Sequence, residues 1–435
     1  MTRSASILQL AAVVTLGLST PYGAVAQDSI FSMDVGTFPG AATNTRSNPG
    51  IASGSHSGLY LRFAEDLATL CAKPRDGRSP YRLNVVATEG GLDSVKRLRL
   101  ESDVQMGIVQ SDLWYYAKKL GDPATSAGNW LSTKTRESWR QIATDTRLLL
   151  PLYTEQIHIV VTPYGKDQFK DLMGLFKSKA RVSVGTTGSG SMITCTLLEE
   201  MLLRELRAKG APETRWKPQF LPADAALETL TKGQGELDAV ILVGGVPFPA
   251  LEKFAMDQVK QGLFNRTTSV AQLALLPFGP EADAAVDRDP DFRGYVKTTI
   301  QSGDYEFLTA EKGAISTRGV TACLVTHRSY SADAKASEAS RHRLLWVRHT
   351  LYRLLTNLDE SSDSGLIRDF GTPQAGDKWK DVSDTLRRIQ RGDLTWASFG
   401  WSRHEDPVLM KMVDAWSGST TARPVGTFLI DPDKF

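Results

Sequence analysis

Residues 185–191 read Gly-Thr-Thr-Gly-Ser-Gly-Ser and run directly into Met-Ile-Thr-Cys, a glycine- and hydroxyl-rich turn ahead of a helical pattern. Three nucleotide or nucleophile chemistries use loops of this composition, and none fits. A phosphate-binding P-loop requires Lys and then Ser or Thr after its second glycine; Gly185 and Gly190 have the spacing, but Ser191-Met192 follow. A dinucleotide fingerprint would need a third glycine where Ile193 stands. A nucleophile elbow needs one Ser between spaced glycines, which neither Gly188-Ser189-Gly190 nor Gly54-Ser55-His56-Ser57-Gly58 provides. What remains is an anion cradle. Free amides at a helix N-terminus carry the positive end of the helix dipole, and glycine lets a ligand approach the backbone. Thr187, Ser189 and Ser191 add hydroxyls. An ordinary Ser- or Thr-capped turn has the same composition. Two more loops of this kind, Ser53–Gly58 and Thr88-Glu89-Gly90-Gly91, shift the balance toward a ligand site.

The other reactive residues form no constellation. Cys71, Cys195 and Cys323 are too few and too widely spaced for a disulfide framework or a thiolate metal site, so one bridge or three buried thiols are both open. Cys195 follows the loop closely, where a helix dipole could lower its pKa, but a buried inert thiol is the favoured reading. The six histidines, from His56 to His404, make no catalytic motif, and His342 and His349 lie two helical turns apart, too far for one metal. No enzyme, metal or cofactor is therefore expected. Tyr60 reads as a core aromatic or a pocket wall, with the core favoured, and Asp112 as the cap of the helix after it.

The elements that would position these loops alternate. Leu59, Phe63, Leu67 and Leu70 share a helical face, Tyr81–Ala87 reads as a strand, and Val95, Leu98 and Leu100 mark the next helix. Met106–Val109 is a further strand, stopping at Gln110-Ser111-Asp112. A second series follows: strands at Ile157–Val161 and Ala180–Val184, a helix over about residues 192–209, another near Ala225–Leu230, and an apolar strand Asp238–Val243 running into Gly244-Gly245-Val246-Pro247. Strand, polar loop, helix in repetition is the pattern of an α/β sheet, which binds ligands at the carboxyl ends of its strands. Two such units imply a cleft, with Leu148–Thr154 and Leu273–Phe278 as candidate crossings between them. Residues 121–140 read as a surface insertion. Beyond Ser340 the apolar face from Leu344 to Leu358 predicts a helical extension, and Trp379, Trp396, Trp401 and Trp416 are expected to pack it onto the sheet.

The chain opens with Arg3, an apolar run from Ile7 to Leu18 and an Ala24-Val25-Ala26 cleavage pattern, which reads as an export signal over 1–26. The remaining length, about 400 residues, suffices for two or three domains. A formal charge of +2 offers no field for nucleic acid.

Taken together, Ser53–Tyr60, Thr88–Ser94, Gly107-Ile-Val-Gln-Ser-Asp112 with Tyr115-Tyr116, Tyr153–His158, Val184-Gly-Thr-Thr-Gly-Ser-Gly190, and Leu237–Ala239 leading to Gly245–Ala250 resemble the TAXI family. These are solute receptors of tripartite ATP-independent periplasmic (TRAP) transporters. The resemblance covers about residues 48–330. It implies a type II periplasmic binding protein fold, α/β with two lobes joined by a hinge, closing on a small organic anion such as an amino acid or dicarboxylate, with TRAP permease subunits as partners. The implied division is 1–26 signal peptide, 27–47 tail, 48–152 first lobe, 153–275 second lobe, 276–340 return to the first lobe, and 341–435 a mostly helical extension. The implied ligand contacts are Ser53, Ser55, His56, Ser57, Tyr60, Glu89, Gln110, Ser111, Thr187, Gly188, Ser189, Gly190, Ser191 and Val246. Two features depart from the family pattern. His56 and its serines replace a loop richer in Gly and Thr, and an inward Glu89 would repel a ligand carboxylate but pair with an ammonium. A sensor subunit is the alternative that the extra segments leave open.

Overall fold

The computed structural model describes residues 48–54, 58–74, 79–124, 131–232, 235–260, 273–289, 292, 294–305, 313–360 and 373–418. The expected signal segment and tail, Ser55, His56 and Ser57, and the side chains of Trp379 and Trp416 lie outside what is described.

Three parallel strands begin the sheet: β1 (Gly50–Ser53), β2 (Asn84–Ala87) and β3 (Val104–Gln110). β3 reads VQMGIVQ and is buried along its whole length, as a strand covered on both faces must be. Helices α1 (Leu59–Cys71) and α2 (Gly91–Leu100) connect them, and α1 buries Tyr60, Phe63, Ala64, Leu67 and Leu70 at helical spacing. Next come α3 (Asp112–Gly121) and α4 (Thr133–Asp145). The supposed insertion is thus half helix. Ser132 caps α4 by accepting from the Thr135 amide, and Trp139 is buried edge-on to Tyr116 with ring centroids 5.5 Å apart.

The sixteen-residue strand β4 (Thr146–Val161) leads to the second lobe. There follow α5 (Pro163–Phe169), α6 (Leu172–Lys177), β5 (Arg181–Ser183), α7 (Gly190–Ala208), β6 (Lys217–Gln219), α8 (Ala223–Thr231), β7 (Ala239–Gly244), α9 (Pro249–Lys260), β8 (Ala274–Leu276), α10 (Pro280–Arg288), β9 (Val296–Ile300) and β10 (Ile315–His327). The sheet runs β2-β1-β3-β10-β4-β7-β5-β6, with β8 on β4 and β9 on β10. β4 and β10 form an antiparallel ribbon shared by both lobes. At one end β10 pairs with β3; at the other β4 pairs with β7 and β8. Leu148–Thr154 lies within β4, as a crossing should. Leu273–Phe278 instead holds β8 against the second half of β4, and the return strand is β10.

The extension comprises α11 (Glu338–Glu360), α12 (Pro373–Gln390), a 3-10 turn at Trp396–Phe399 and α13 (Pro407–Gly418). Leu344, Val347, Leu351, Leu354, Leu355 and Leu358 share one core with α1 and β4, and Trp401 is buried in the main core. Arg348 grips Asp406 through two bonds of 3.0 and 2.5 Å, both side chains 2% exposed, so the extension is locked by a buried ion pair. All three cysteines are free and buried. No helix among the described residues is long and apolar enough to cross a membrane.

Candidate functional site

A cavity of about 300 Å³ opens where the carboxyl ends of the parallel strands meet. From the first lobe it receives Gly54 after β1, Glu89 to Gly91 after β2, and Gln110 at the end of β3. From the second come Gly185 and Thr186 after β5, and Gly244 and Gly245 at the end of β7. The starts of α1, α2, α7, α8 and α9 also line it, at Leu59, Gly91, Gly190, Ala223 and Pro249. Five helix N-termini around one space concentrate positive dipole ends without a single cationic side chain among the described lining residues.

The local sequence explains this geometry. Gly185 and Gly188 hold φ of +87° and +80°, a region that disfavours any side chain, and turn the chain sharply into α7. Ser189 caps α7 by accepting from the Met192 amide at 3.2 Å. Ser191 accepts from the Val243 amide at 3.0 Å, tying the helix start to β7. Across the cavity Thr88 donates to the Ser53 carbonyl and meets Ser94 at 3.0 Å, which fixes the first two loops on each other.

The floor is polar and comes from the ribbon. Glu155 of β4 is 4% exposed and accepts from the Tyr60 hydroxyl at 2.5 Å and from Gln110 Nε2 at 3.1 Å. Burial, with the Glu155 charge beside it, holds the Tyr60 phenol well above its ordinary pKa, so it is a fixed donor at neutral pH. Gln110 spends Nε2 on Glu155, and its Oε1, packed against Gly190, is buried without a hydrogen-bond partner.

The lobes touch around this floor. A Cβ on Gly190 would fall 2.2 Å from Gln110 Oε1, and one on Gly90 would fall 3.1 Å from Ser189 Cα. Below, Asp112 accepts from Thr194 of α7 at 2.6 Å and from Tyr295 at 2.7 Å. Ser111 takes the N-cap position without a side-chain cap bond, while the Asp112 carboxylate accepts from the backbone of Asp112 and Leu113 at the start of the helix, as expected of a cap, and adds the bonds across the lobes. Burial raises its pKa from 3.8 to about 6, the bonds from Thr194 and Tyr295 pulling the other way. Burial likewise pushes the Cys195 thiol well above its usual value, in keeping with an inert group.

Of the residues singled out in sequence, the structure brings Tyr60, Glu89, Gln110, Ser189, Gly190 and Ser191 together around the cavity. Ser55, His56 and Ser57 lie outside the described residues. Ser53 and Ser111 are buried behind it, Ser111 bonded to Thr321 of β10. Gly188 packs near Leu92 of the first lobe, Thr187 is exposed, and Val246 packs into the core beneath α9. Sequence reasoning missed Glu155, Thr186, Pro222, Leu242 and Phe248. Glu155 alone carried a weak signal, the one acidic residue of β4.

The chain belongs to the NMT1-like family, whose model matches residues 51–335. No curated protein matches it in sequence. Solved structures similar in fold include the ligand-binding component of an ABC-type import system from Staphylococcus aureus, at 10% identity over 85% of this chain and 91% of that one, with a TM-score of 0.39. PhnD1 of Prochlorococcus marinus in complex with methylphosphonate is 12% identical over 78% and 99%, with a TM-score of 0.37. R. palustris Rpa4515 with adipate is 11% identical over 82% and 99%, with a TM-score of 0.35.

Proposed function

We propose that this chain is an extracytoplasmic solute-binding receptor that captures a small organic anion in the cavity between its lobes and delivers it to a TRAP-type permease. The supporting observation is the convergence of helix N-termini from both lobes on one small space. A ligand carboxylate held by these amides bonds both lobes at once, so it binds the closed form better than the open one. Glu155 is a carboxylate at the floor of the cavity, so the same ligand carries a donor such as an ammonium. A second carboxylate there would face Glu155, with Glu89 nearby, which favours an amino-acid-like solute over a dicarboxylate. Export fits the N-terminal segment, and the permease is the partner implied by the TAXI resemblance.

Native mass spectrometry of the freshly purified protein, followed by release and identification of the bound molecule, tests this reading. One solute per chain, recovered unchanged, supports a receptor; conversion to product sinks it. The extension beyond residue 335, outside the family match, supports a second reading as a ligand-sensing subunit. Co-purification from membranes distinguishes the two: a permease marks a transporter receptor, a signalling protein a sensor.

A further inference from the structure

The extension borders a second cavity. Leu148 of β4 donates to the Ser402 carbonyl at 2.8 Å and accepts from the His404 amide at 3.1 Å, laying the chain after the 3-10 turn beside the start of the ribbon. Next to this seam lies a space of about 560 Å³, lined by Lys118 of α3, Arg140 of α4, Arg147 of β4, Arg328 after β10, Asp122 and Ser402 among others. Four cations and one carboxylate thus face it, the opposite of the solute cavity.

These cations are loosely neutralised. Arg147 is 9% exposed and donates to the carbonyls of Thr144 and Thr146, while its nearest carboxylate, on the 89% exposed Glu405, is 3.8 Å away. Arg328 stands 3.6 Å from Asp145, a carboxylate that Arg99 also engages at 3.3 Å. The separations of 3.8 Å from Arg147 and 3.6 Å from Arg328 are too long for direct hydrogen bonds. Lys118 makes no ion pair among the described residues; its ammonium lies over the Trp114 ring, 5.0 Å from the centroid. Arg140 is bound to Glu137 and to the Gly121 carbonyl. Burial lowers the Arg147 pKa, and the Arg328 charge lowers it further, as expected of two guanidiniums sharing a space. Gly400 packs against the Trp114 ring, a Cβ there falling 2.6 Å from Cε3, and the Lys118 ammonium lies over it as well. The four cations make charge the main basis of recognition in this cavity.

We propose that the seam cavity is a second binding site, for a phosphate-class oxyanion held by Lys118, Arg147 and Arg328, whether free phosphate or the phosphate of an anionic lipid headgroup. Such an anion would supply several acceptor oxygens to guanidiniums that reach no carboxylate at bonding distance, and would tie α3, the start of β4 and the segment after β10 together. The site does not depend on the solute reading above.

The test uses the full chain at low ionic strength, with inorganic phosphate by titration calorimetry and with vesicles of equal phosphatidylglycerol and phosphatidylcholine by flotation. Lys118→Gln and Arg328→Gln are compared with Arg207→Gln, a surface control paired with Glu213. The expected result is saturable binding in one arm, weakened at least tenfold by either seam variant and unchanged by the control, with the thermal midpoint preserved. Phosphate binding identifies a free anion as the source, and flotation alone identifies a headgroup. Binding in neither arm overturns the proposal, as does equal weakening by all three variants, which would mark a general charge effect.

Discussion

Adding one methyl to Gly190 should separate closure from folding. Its Cβ would lie 2.2, 2.5 and 2.6 Å from Oε1, Cδ and Nε2 of Gln110, where carbon contacts settle near about 3.5 Å. The end of a glutamine can ordinarily swing aside, but this one is buried and donates to Glu155. Either Gln110 gives up that charge-assisted bond, or the lobes stay apart and the ligand loses one set of contacts. Loss of such a bond costs about 1–3 kcal/mol, so Gly190→Ala should weaken solute binding about 5- to 150-fold with little change in the unfolding midpoint. Calorimetry with the solute identified by mass spectrometry measures this. The sharper readout is a cycle with Gln110→Ala, which removes the obstructing atoms. In that background the methyl should cost less than about 0.5 kcal/mol, a coupling of about 1–3 kcal/mol. Additive effects, or full affinity in Gly190→Ala, would refute the argument that these two residues close the cavity.

Glu155→Gln keeps the shape of the floor and removes its charge, so affinity for an amine-bearing solute should fall at least tenfold; equal affinity by calorimetry would remove Glu155 from the recognition of an ammonium. Asp112 has a folded pKa of about 6 against an ordinary 3.8, so between these values the folded chain holds a proton that the unfolded chain has released, and stability falls as pH rises. At about 1.4 kcal/mol per pH unit the loss by pH 7 is about 3 kcal/mol. Asp112→Asn should therefore gain about that much on the parent between pH 4 and pH 7 in urea unfolding, and parallel pH profiles would contradict it. Asp406→Ala strips the bidentate partner from buried Arg348 and should destabilise by about 3–5 kcal/mol, whereas Arg348→Met with Asp406→Leu should be far milder. Thermal unfolding of both variants decides, and equal losses would mean that the pair acts only by packing.

Much of the fold was legible because most of its parallel strands are short and apolar, and β1, β2, β5 and β7 run into glycine-bearing loops. The strand read at Met106–Val109 lies inside β3, the one read at Asp238–Val243 overlaps β7, and the helix read over about residues 192–209 is α7. The loops of the cavity were visible for the same reason. Glu155 was not, since a lone carboxylate in a sixteen-residue strand marks the residue as unusual without showing that it points into a cleft. The ribbon itself was seen only in part, because the pairing of β4 with β10 joins residues far apart in the chain. Helix α4 was hidden by its composition: TKTRESWRQIATD anchors itself through little more than Ser138, Trp139 and Ile142. The Arg348–Asp406 pair spans 58 residues, and local periodicity cannot reveal it.

The placement of Glu155 has a mechanical consequence. It sits opposite Val320 in the two strands that both lobes share, so it lies near the axis about which the lobes would turn, while the amides of α2 and α7 lie out on the moving arms. Rotation displaces points in proportion to their distance from the axis, so under the proposed receptor reading the carboxylate would stay nearly fixed while the amides swept in and out. An arriving solute would then find its first anchor already in position before the arms folded down on the end that remains free. Capture would be a sequence of two grips, one standing and one travelling, and release would begin at the travelling one.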